Sequence, residues 1–363
     1  MDVASTIVER NFEQVSFYTD PSTGYVAIVA IHSSVLGPAL GGCRMIAYPS
    51  TESALTDVLR LAEGMTYKNS LAGLNLGGGK SVIVAPRDLK PGREELFARF
   101  GAFIQSLGGR YITAEDMGTS VTDMNAVLTN CKYVAGRDQS VGGGGDPSPW
   151  TALGVFVGMR ACLERVFGSG DFAGKHVVIQ GVGHVGAYLA EHLANAGARL
   201  SLSDTKEDVL AEACRKFGAQ ALAPELVCST QCDVYSPCAV GAVLNDRTIP
   251  LLGAKIVAGA ANNQLLNESD ELLLNQKGIL YAPDFAINAG GVILCADEFE
   301  PGGFTPSRVE ERVRRIYSTV GRVLDEARSK GERSGVVAVR LAKERIAEVK
   351  SQASMRSPAV AAH

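Results

Sequence analysis

The sequence predicts an α/β protein of two domains. Three observations carry this. Short apolar strand-like runs alternate with helix-like stretches from Lys175 onward, the pattern of a parallel sheet covered on both faces. A glycine-rich turn, Gly181 to Gly186, joins one such strand to a helix. The first half also mixes strands and helices and is separated from the second by a glycine and proline break.

In order along the chain, Tyr25 to His32 reads as a strand, and Glu52 to Lys68 as a helix behind a Ser50 or Thr51 cap. Leu61, Met65 and Lys68 share one face of that helix. Gly77-Gly78-Gly79-Lys80 precedes a short apolar run that reads as a strand. That order excludes a phosphate-binding P-loop, in which the strand comes first and a helix follows. Glycines there let the backbone bend and come close to a ligand, with Lys80 at the wall of a cleft. The Gly142 to Gly145 run and Asp146-Pro147-Ser148-Pro149 break regular structure and mark a hinge.

Beyond the hinge, His176 to Gln180, Leu200 to Ser203, Asp233 to Ser236, Lys255 to Ala258 and Ile279 to Ala282 read as strands of a Rossmann-type domain. Glu207 to Phe217 is one of the helices between them. Val309, Val313, Ile316, Val320, Leu324 and Ala327 form the stripe of one long amphipathic helix leading back toward the first domain. The resulting domains are 1–145, 146–330, and a returning C-terminal helix over 331–363 that ends in a disordered small-residue tail, Ser357 to His363. The two domains enclose a cleft.

With 363 residues the chain is long enough for two cores. Thirty-five Lys and Arg against thirty-nine Asp and Glu leave it slightly acidic, with no basic block to follow a phosphate backbone, so nucleic acid is not an expected partner. The first residues lack the apolar core of a secretory signal, and no uncharged apolar run of roughly 18 residues follows, so the reading is a soluble cytoplasmic protein without a membrane partner. Eight scattered cysteines read as reduced, mostly buried thiols, and their spacing gives no metal ligand set. No metal is expected.

Gly181-Val182-Gly183-His184-Val185-Gly186 follows a strand and opens a helix, and Asp204 closes the next strand. In this context Gly181 makes the tight turn, Gly183 admits a pyrophosphate to the backbone, and Gly186 lets helix and strand pack closely. The helix amino end then faces negative charge. Asp204 would accept hydrogen bonds from ribose hydroxyls and repel a 2′-phosphate, which favours NAD over NADP; nearby Lys206 weakens that preference. Lys68, on an apolar helix face, needs either a route to solvent or a partner such as a substrate carboxylate. Lys80 and Asp116 supply the two polarities of proton transfer, and lysines near one another in a dry cleft favour their neutral forms. Spacing alone does not join these three residues.

The stretches Leu36-Gly-Pro-Ala-Leu-Gly-Gly42, Gly64-Met-Thr-Tyr-Lys68, Gly73-Leu-Asn-Leu-Gly-Gly-Gly-Lys80 and Gly109-Arg-Tyr-Ile-Thr-Ala-Glu-Asp116 resemble the glutamate, leucine, phenylalanine and valine dehydrogenase family. So do Gly259-Ala-Ala-Asn-Asn263, Tyr281-Ala-Pro-Asp284 and Asn288-Ala-Gly-Gly291, and the resemblance runs in order from about Gly24 to Asp297. It is strongest to the branched-chain and aromatic members.

That resemblance implies an NAD-dependent oxidative deamination of an L-amino acid to a 2-oxo acid and ammonia, by a closed homo-oligomer. It implies that Lys68 pairs with the substrate α-carboxylate, that Lys80 activates water as general base, and that Asp116 handles the amino group and relays protons. Asn262 and Asn288 line the substrate and nicotinamide side, with Asn263 an alternative to Asn262, and Thr151 lies near the carboxamide. The side-chain pocket maps to Leu40, Gly41, Ala114, Val292 and Cys295, all uncharged, so an apolar substrate of the leucine or valine type is expected. An aromatic amino acid, phenylalanine or tryptophan, is the alternative within the family, because pocket volume decides it. Cys43, where many relatives carry threonine, and Trp150 beside Thr151 depart from the pattern. A non-catalytic NAD-binding sensor is the alternative of another class, which intact Lys68, Lys80 and Asp116 oppose; a zinc-dependent alcohol dehydrogenase lacks its ligands here.

Overall fold

A computed structural model describes residues 3–20, 24–84 and 92–356. The tail Ser357 to His363 lies outside them. Backbone proximity divides the chain into two compact units. The first comprises Met1–Asp146, Leu294–Thr305 and Leu341–His363, and the second Pro147–Ile293 and Pro306–Arg340. Residues 294–305, which the sequence reading assigns to the second domain, thus group with the first.

The first unit opens with α1 (Val3–Glu9), β1 (Gln14–Thr19), β2 (Val26–Ser33) and β3 (Ala39–Ile46), followed by α2 (Thr51–Leu71) and β4 (Gly77–Val84). It continues with α3 (Arg93–Ser106), β5 (Tyr111–Glu115) and α4 (Val121–Leu128). The strands form one mixed sheet in the order β1-β2-β4-β3-β5, antiparallel from β1 to β4 and parallel from β4 to β5. Alternation along β2 sets the layers, since successive side chains leave a strand on opposite faces. Ala27, Val29 and Ile31 join Phe97, Phe100, Phe103 and Met124 in one core. Ile28 and Ala30 join Leu55, Val58, Leu59 and Ala62 of α2 in the other. Ser50 caps α2, accepting a hydrogen bond from the Ser53 backbone N–H at 3.1 Å, which settles the choice between Ser50 and Thr51.

The glycine run before Lys80 is not a loop beside a strand. Gly77, Gly78 and Gly79 are the first residues of β4 itself. A Cβ on Gly78 would stand 2.1 Å from the Thr66 backbone nitrogen, so this glycine lets α2 lie close against the sheet; one on Gly77 would meet the Ser33 carbonyl oxygen at 2.0 Å and one on Gly79 the Tyr111 ring at 2.9 Å.

In the second unit α5 (Ser148–Phe167) precedes β6 (His176–Gln180), α6 (His184–Asn195), β7 (Arg199–Ser203), α7 (Glu207–Phe217) and β8 (Gln220–Ala221). Then come β9 (Cys232–Pro237), β10 (Ala254–Val257), α8 (Glu271–Gln276), β11 (Leu280–Tyr281) and α9 (Asp284–Ile287). After α10 (Gly290–Asp297), the chain forms α11 (Pro306–Arg314), α12 (Ile316–Lys330) and α13 (Ser334–Arg356). The parallel sheet has the order β11-β10-β9-β6-β7-β8, so the chain winds outward from β6 in both directions, as a doubly wound nucleotide-binding fold does.

Two expectations need correction. Ser148 and Pro149 do not break structure: they begin α5, where proline's fixed φ and missing N–H cost nothing in a first turn. The long helix through Val309 and Ala327 is two helices, interrupted at Arg315, although its stripe from Val309 to Ala327 is buried as expected. All eight cysteines are free, and Cys214, Cys228 and Cys238 are half-buried while the others are buried. Among the described residues no helix is long and apolar enough to cross a membrane.

Candidate active site

Strand register places the polar residues of the first unit. Lys80 pairs in register with Ala30, and Arg44 with Val82. Ala30 and Val82 both belong to the core under α2, so Lys80 and Arg44 project onto that same sheet face. Leu40 is in register with Gly78 and Ala114 with Gly42, which puts Leu40 and Ala114 on this face too. Leu40, Gly41 and Ala114 are all buried. Lys68 sits half-buried in the last turn of α2, the helix that covers the face.

Asp116 follows the last residue of β5 and completes the cluster. Its Oδ1 lies 2.9 Å from Lys80 Nζ, with the side chains 14% and 5% exposed. Its Oδ2 accepts a hydrogen bond from Arg44 Nε at 2.9 Å. Arg44 Nη1 in turn donates to Asp57 Oδ2 at 2.9 Å, and the Tyr48 hydroxyl donates to the same oxygen at 2.7 Å. Thr119 Oγ1 donates to the Cys43 carbonyl at 3.0 Å and accepts from the Asp116 N–H at 2.9 Å, fixing the turn that carries the carboxylate. Burial pushes the Asp116 carboxyl upward, but the charges and hydrogen bonds of Lys80 and Arg44 outweigh it and hold it well below the usual carboxylate range. The adjacent Glu115 goes the other way: burial, reinforced by Asp146, Asp123 and Asp116, pushes its carboxyl up to about 7. Its Oε2 is buried without a hydrogen-bond partner.

The cluster unites Lys80 and Asp116 as expected, but the neighbour sharing the carboxylate is Arg44, which sequence reasoning missed. A signal existed. Arg44 interrupts the buried run Ala39 to Met45, and a charge in such a run requires a partner.

In the second unit the glycine turn has the shape a pyrophosphate needs. Gly181 has φ +95°, and a Cβ there would stand 2.6 Å from the Ala239 Cβ. One on Gly186 would strike the Gly181 carbonyl oxygen at 2.0 Å. Around Gly183 the same position is open, and Gly183 caps α6 without any side-chain hydrogen bond, leaving the first N–H groups of the helix to a ligand. His184 is exposed and Val185 half-buried in that first turn. Asp204 holds the turn, accepting from the Val182 N–H at 2.9 Å and the Lys206 N–H at 3.0 Å. A cavity of about 540 Å³ lies between this turn and α7, lined by Gly183, His184, Tyr188, Asp204, Lys206 and Lys216. The residues present therefore fit a dinucleotide.

Asn288 ends α9 and is buried. Its Nδ2 donates to the Ala260 carbonyl at 2.9 Å and to Asn262 Oδ1 at 2.8 Å, while its Oδ1 is buried without a partner, an acceptor open to an amide. This selects Asn262 as the neighbour of Asn288, while Asn263 adopts a left-handed φ of +51°. Thr151 lies in the first turn of α5, its Oγ1 bonded to the Pro147 carbonyl at 3.1 Å. Of the remaining residues expected to face the substrate side chain, Val292 is half-buried in the second unit and Cys295 buried in the first.

Comparison with known proteins agrees with these two halves. Residues 12–133 match the Glu/Leu/Phe/Val dehydrogenase dimerisation domain, and residues 142–214 and 202–353 match the Glutamate/Leucine/Phenylalanine/Valine dehydrogenase model. A leucine dehydrogenase of Bacillus cereus is 46% identical over 355 residues, covering 98% of this chain and 96% of the relative. A valine dehydrogenase of Streptomyces albus is 44% identical over 344 residues, covering 94% and 93%. Among solved structures, the L-tryptophan dehydrogenase of Nostoc punctiforme superposes with a TM-score of 0.82 at 38% identity, covering 96% of this chain and all of that one. With both domain models matched across nearly its whole length and a buried lysine–aspartate pair in its first unit, the chain belongs to the Glu/Leu/Phe/Val dehydrogenase family and is an amino-acid dehydrogenase.

Proposed function

We propose that this protein catalyses the NAD-dependent, reversible oxidative deamination of an apolar L-amino acid of the leucine or valine type. The Lys80–Asp116 pair, held at 2.9 Å on the sheet face under α2, carries the reading. NAD, when bound, supplies the acceptor for the hydride that leaves the substrate Cα. Gly181, Gly183, Gly186 and the first turn of α6 with His184 and Val185 hold its pyrophosphate, Asp204 its adenosine ribose, and Thr151 and Asn288 its carboxamide.

Lys68 binds the substrate α-carboxylate by charge pairing. Asp116, kept ionised by its two cations, accepts hydrogen bonds from the substrate amino group and takes up its proton. Once the Cα–N bond has become an iminium, Lys80 in its amine form removes a proton from water as the oxygen bonds to Cα. The carbinolamine then collapses: Asp116 hands its proton to the amino nitrogen, the C–N bond breaks, the hydroxyl proton passes to the Asp116 carboxylate as the carbonyl of the 2-oxo acid forms, and ammonia leaves.

Leu40, Gly41, Ala114, Val292 and Cys295 offer no cation to a side-chain carboxylate, which favours apolar over acidic substrates. Leucine and valine dehydrogenases among the relatives support the branched-chain reading. The tryptophan dehydrogenase likeness supports an aromatic substrate as the second one. The description of the matched N-terminal model as a dimerisation domain supports a homo-oligomer. Initial rates for leucine, valine, phenylalanine and tryptophan, and for their 2-oxo acids with ammonia, separate the two substrate readings. Lys80→Ala tests the base, since near-normal turnover in that variant would remove it from the mechanism.

A further inference from the structure

The Lys80–Asp116 pair is half of a longer chain of charges. Running through the face under α2, Lys80 meets Asp116 Oδ1, Arg44 meets Asp116 Oδ2, and Asp57 Oδ2 receives both Arg44 and Tyr48. Two cations alternate with two anions. Arg44 is 11% exposed in its side chain, and its two donors point in fixed directions, one to each carboxylate. A shared carboxylate attracts each of its cations less exclusively than a private one, because the two cations also repel each other across it.

We infer that Arg44 is a positioning residue of the reaction, which aims Asp116 by fixing Oδ2 and, by sharing its charge, weakens the hold of that carboxylate on the Lys80 amine. This rests on the proposed role of Lys80 as general base. Other titratable and charged residues on the elements packed around Lys80 are His32 of β2 and Glu52, Asp57, Arg60, Glu63, Tyr67 and Lys68 of α2, with Cys43, Tyr111 and Glu115 on the opposite side of the sheet. His32 is engaged by Thr66 at 2.8 Å, and Glu63 belongs to a separate pair with Arg10. Asp57 joins Arg44 directly in the chain that ends on Lys80.

Without the guanidinium, Asp116 belongs to Lys80 alone and holds the amine more tightly. Removal of Asp57 acts with the opposite sign, since it takes an anion away from the same network.

The test is the pH profile of kcat/KM for L-leucine at saturating NAD in the full-length protein. In Arg44→Met the acidic limb is expected to move upward by about one pH unit or more. In Arg44→Lys, which keeps the charge but loses the two-point fork, the limb stays near its wild-type place while kcat falls about tenfold. In Asp57→Asn the limb moves downward, and this variant reads the same coupling if Arg44→Met does not fold. An unmoved limb in Arg44→Met beside an inactive Lys80→Ala, or shifts of the same sign in the Arg44→Met and Asp57→Asn variants, would overturn the role of Arg44 and leave the base assignment standing. Near-normal turnover of Lys80→Ala would overturn the base assignment and this inference with it.

Discussion

Asp116 Oδ1 stands 2.9 Å from Lys80 Nζ, although the two residues reach the same place from different strands. Lys80 is the fourth residue of β4, and Asp116 is the first residue beyond β5, with β3 lying between the two strands. The parallel register of β3 with both neighbours is what aligns them.

Asp116→Asn keeps the shape of this side chain and removes its charge. Lys80 and Arg44 are then two buried cations without their common anion, which is costly for folding and leaves the substrate amino group without its ionised acceptor. Turnover is expected to fall by about 100-fold or more. The urea midpoint is expected to fall as well. Steady-state kinetics and denaturation of the same preparation check both, and wild-type kcat would mean that the carboxylate charge has no part in the reaction.

Because the folded state holds the Asp116 carboxyl below its unfolded value, the stability it contributes is complete above the ordinary carboxylate range, about 3.9, and is lost as pH falls below it. For Glu115 the sign reverses. Its folded carboxyl is raised to about 7, so the folded state binds this proton more tightly and loses stability as pH rises from about 4.3 toward that value. Glu115→Gln removes the titration. Its stability relative to wild type should therefore improve steadily between about pH 5 and pH 7 and level off above that. A difference in midpoint that stays constant across this window would show that Glu115 is already ionised when folded.

Gly78→Ala places a methyl 2.1 Å from the Thr66 backbone nitrogen, an atom no side-chain rotation can move aside. Either β4 or α2 must shift. A loss of about 3 kcal/mol or more in chemical denaturation is expected. Wild-type stability would show that the helix and strand separate more easily than their packing indicates.

Asp204→Ala removes a carboxylate that receives the Val182 N–H and faces the dinucleotide cavity. The KM for NAD should rise about tenfold or more, with kcat less affected and the relative use of NADP increased. Lys206 and Lys216, which line the same cavity, then meet a 2′-phosphate without the repulsion of the Asp204 carboxylate. Unchanged KM values for both dinucleotides would place the adenosine elsewhere.

Glu298 is buried completely and accepts from the Gly136 N–H at 3.0 Å, the Gly144 N–H at 2.8 Å and Arg137 Nε at 3.0 Å. It ties the loop that ends the first stretch of unit one to the segment after α10. Glu298→Gln leaves Arg137 without its anion and turns one acceptor into a donor facing donors. A stability loss of about 3–5 kcal/mol is expected in urea unfolding. A cost below about 1 kcal/mol would mean that water replaces the carboxylate there.

Local patterning was enough to read most of the architecture from the amino acids. Apolar runs marked His176–Gln180 and its parallel neighbours, because strands buried on both faces must be apolar throughout. The Gly181 to Gly186 turn was legible because each glycine answers a steric demand made within one strand–turn–helix unit. Lys80 and Asp116 could be singled out by motif. What remained hidden depended on atoms far apart in the chain. Gly78 proved to accommodate Thr66 of α2, and Arg44 became part of the site only when the register of β3 between β4 and β5 carried it to the second oxygen of Asp116. Residue types and their local spacing determine which chemistry is present; how one carboxylate is divided between two cations is a matter of ångströms across three strands, and only the folded sheet sets those.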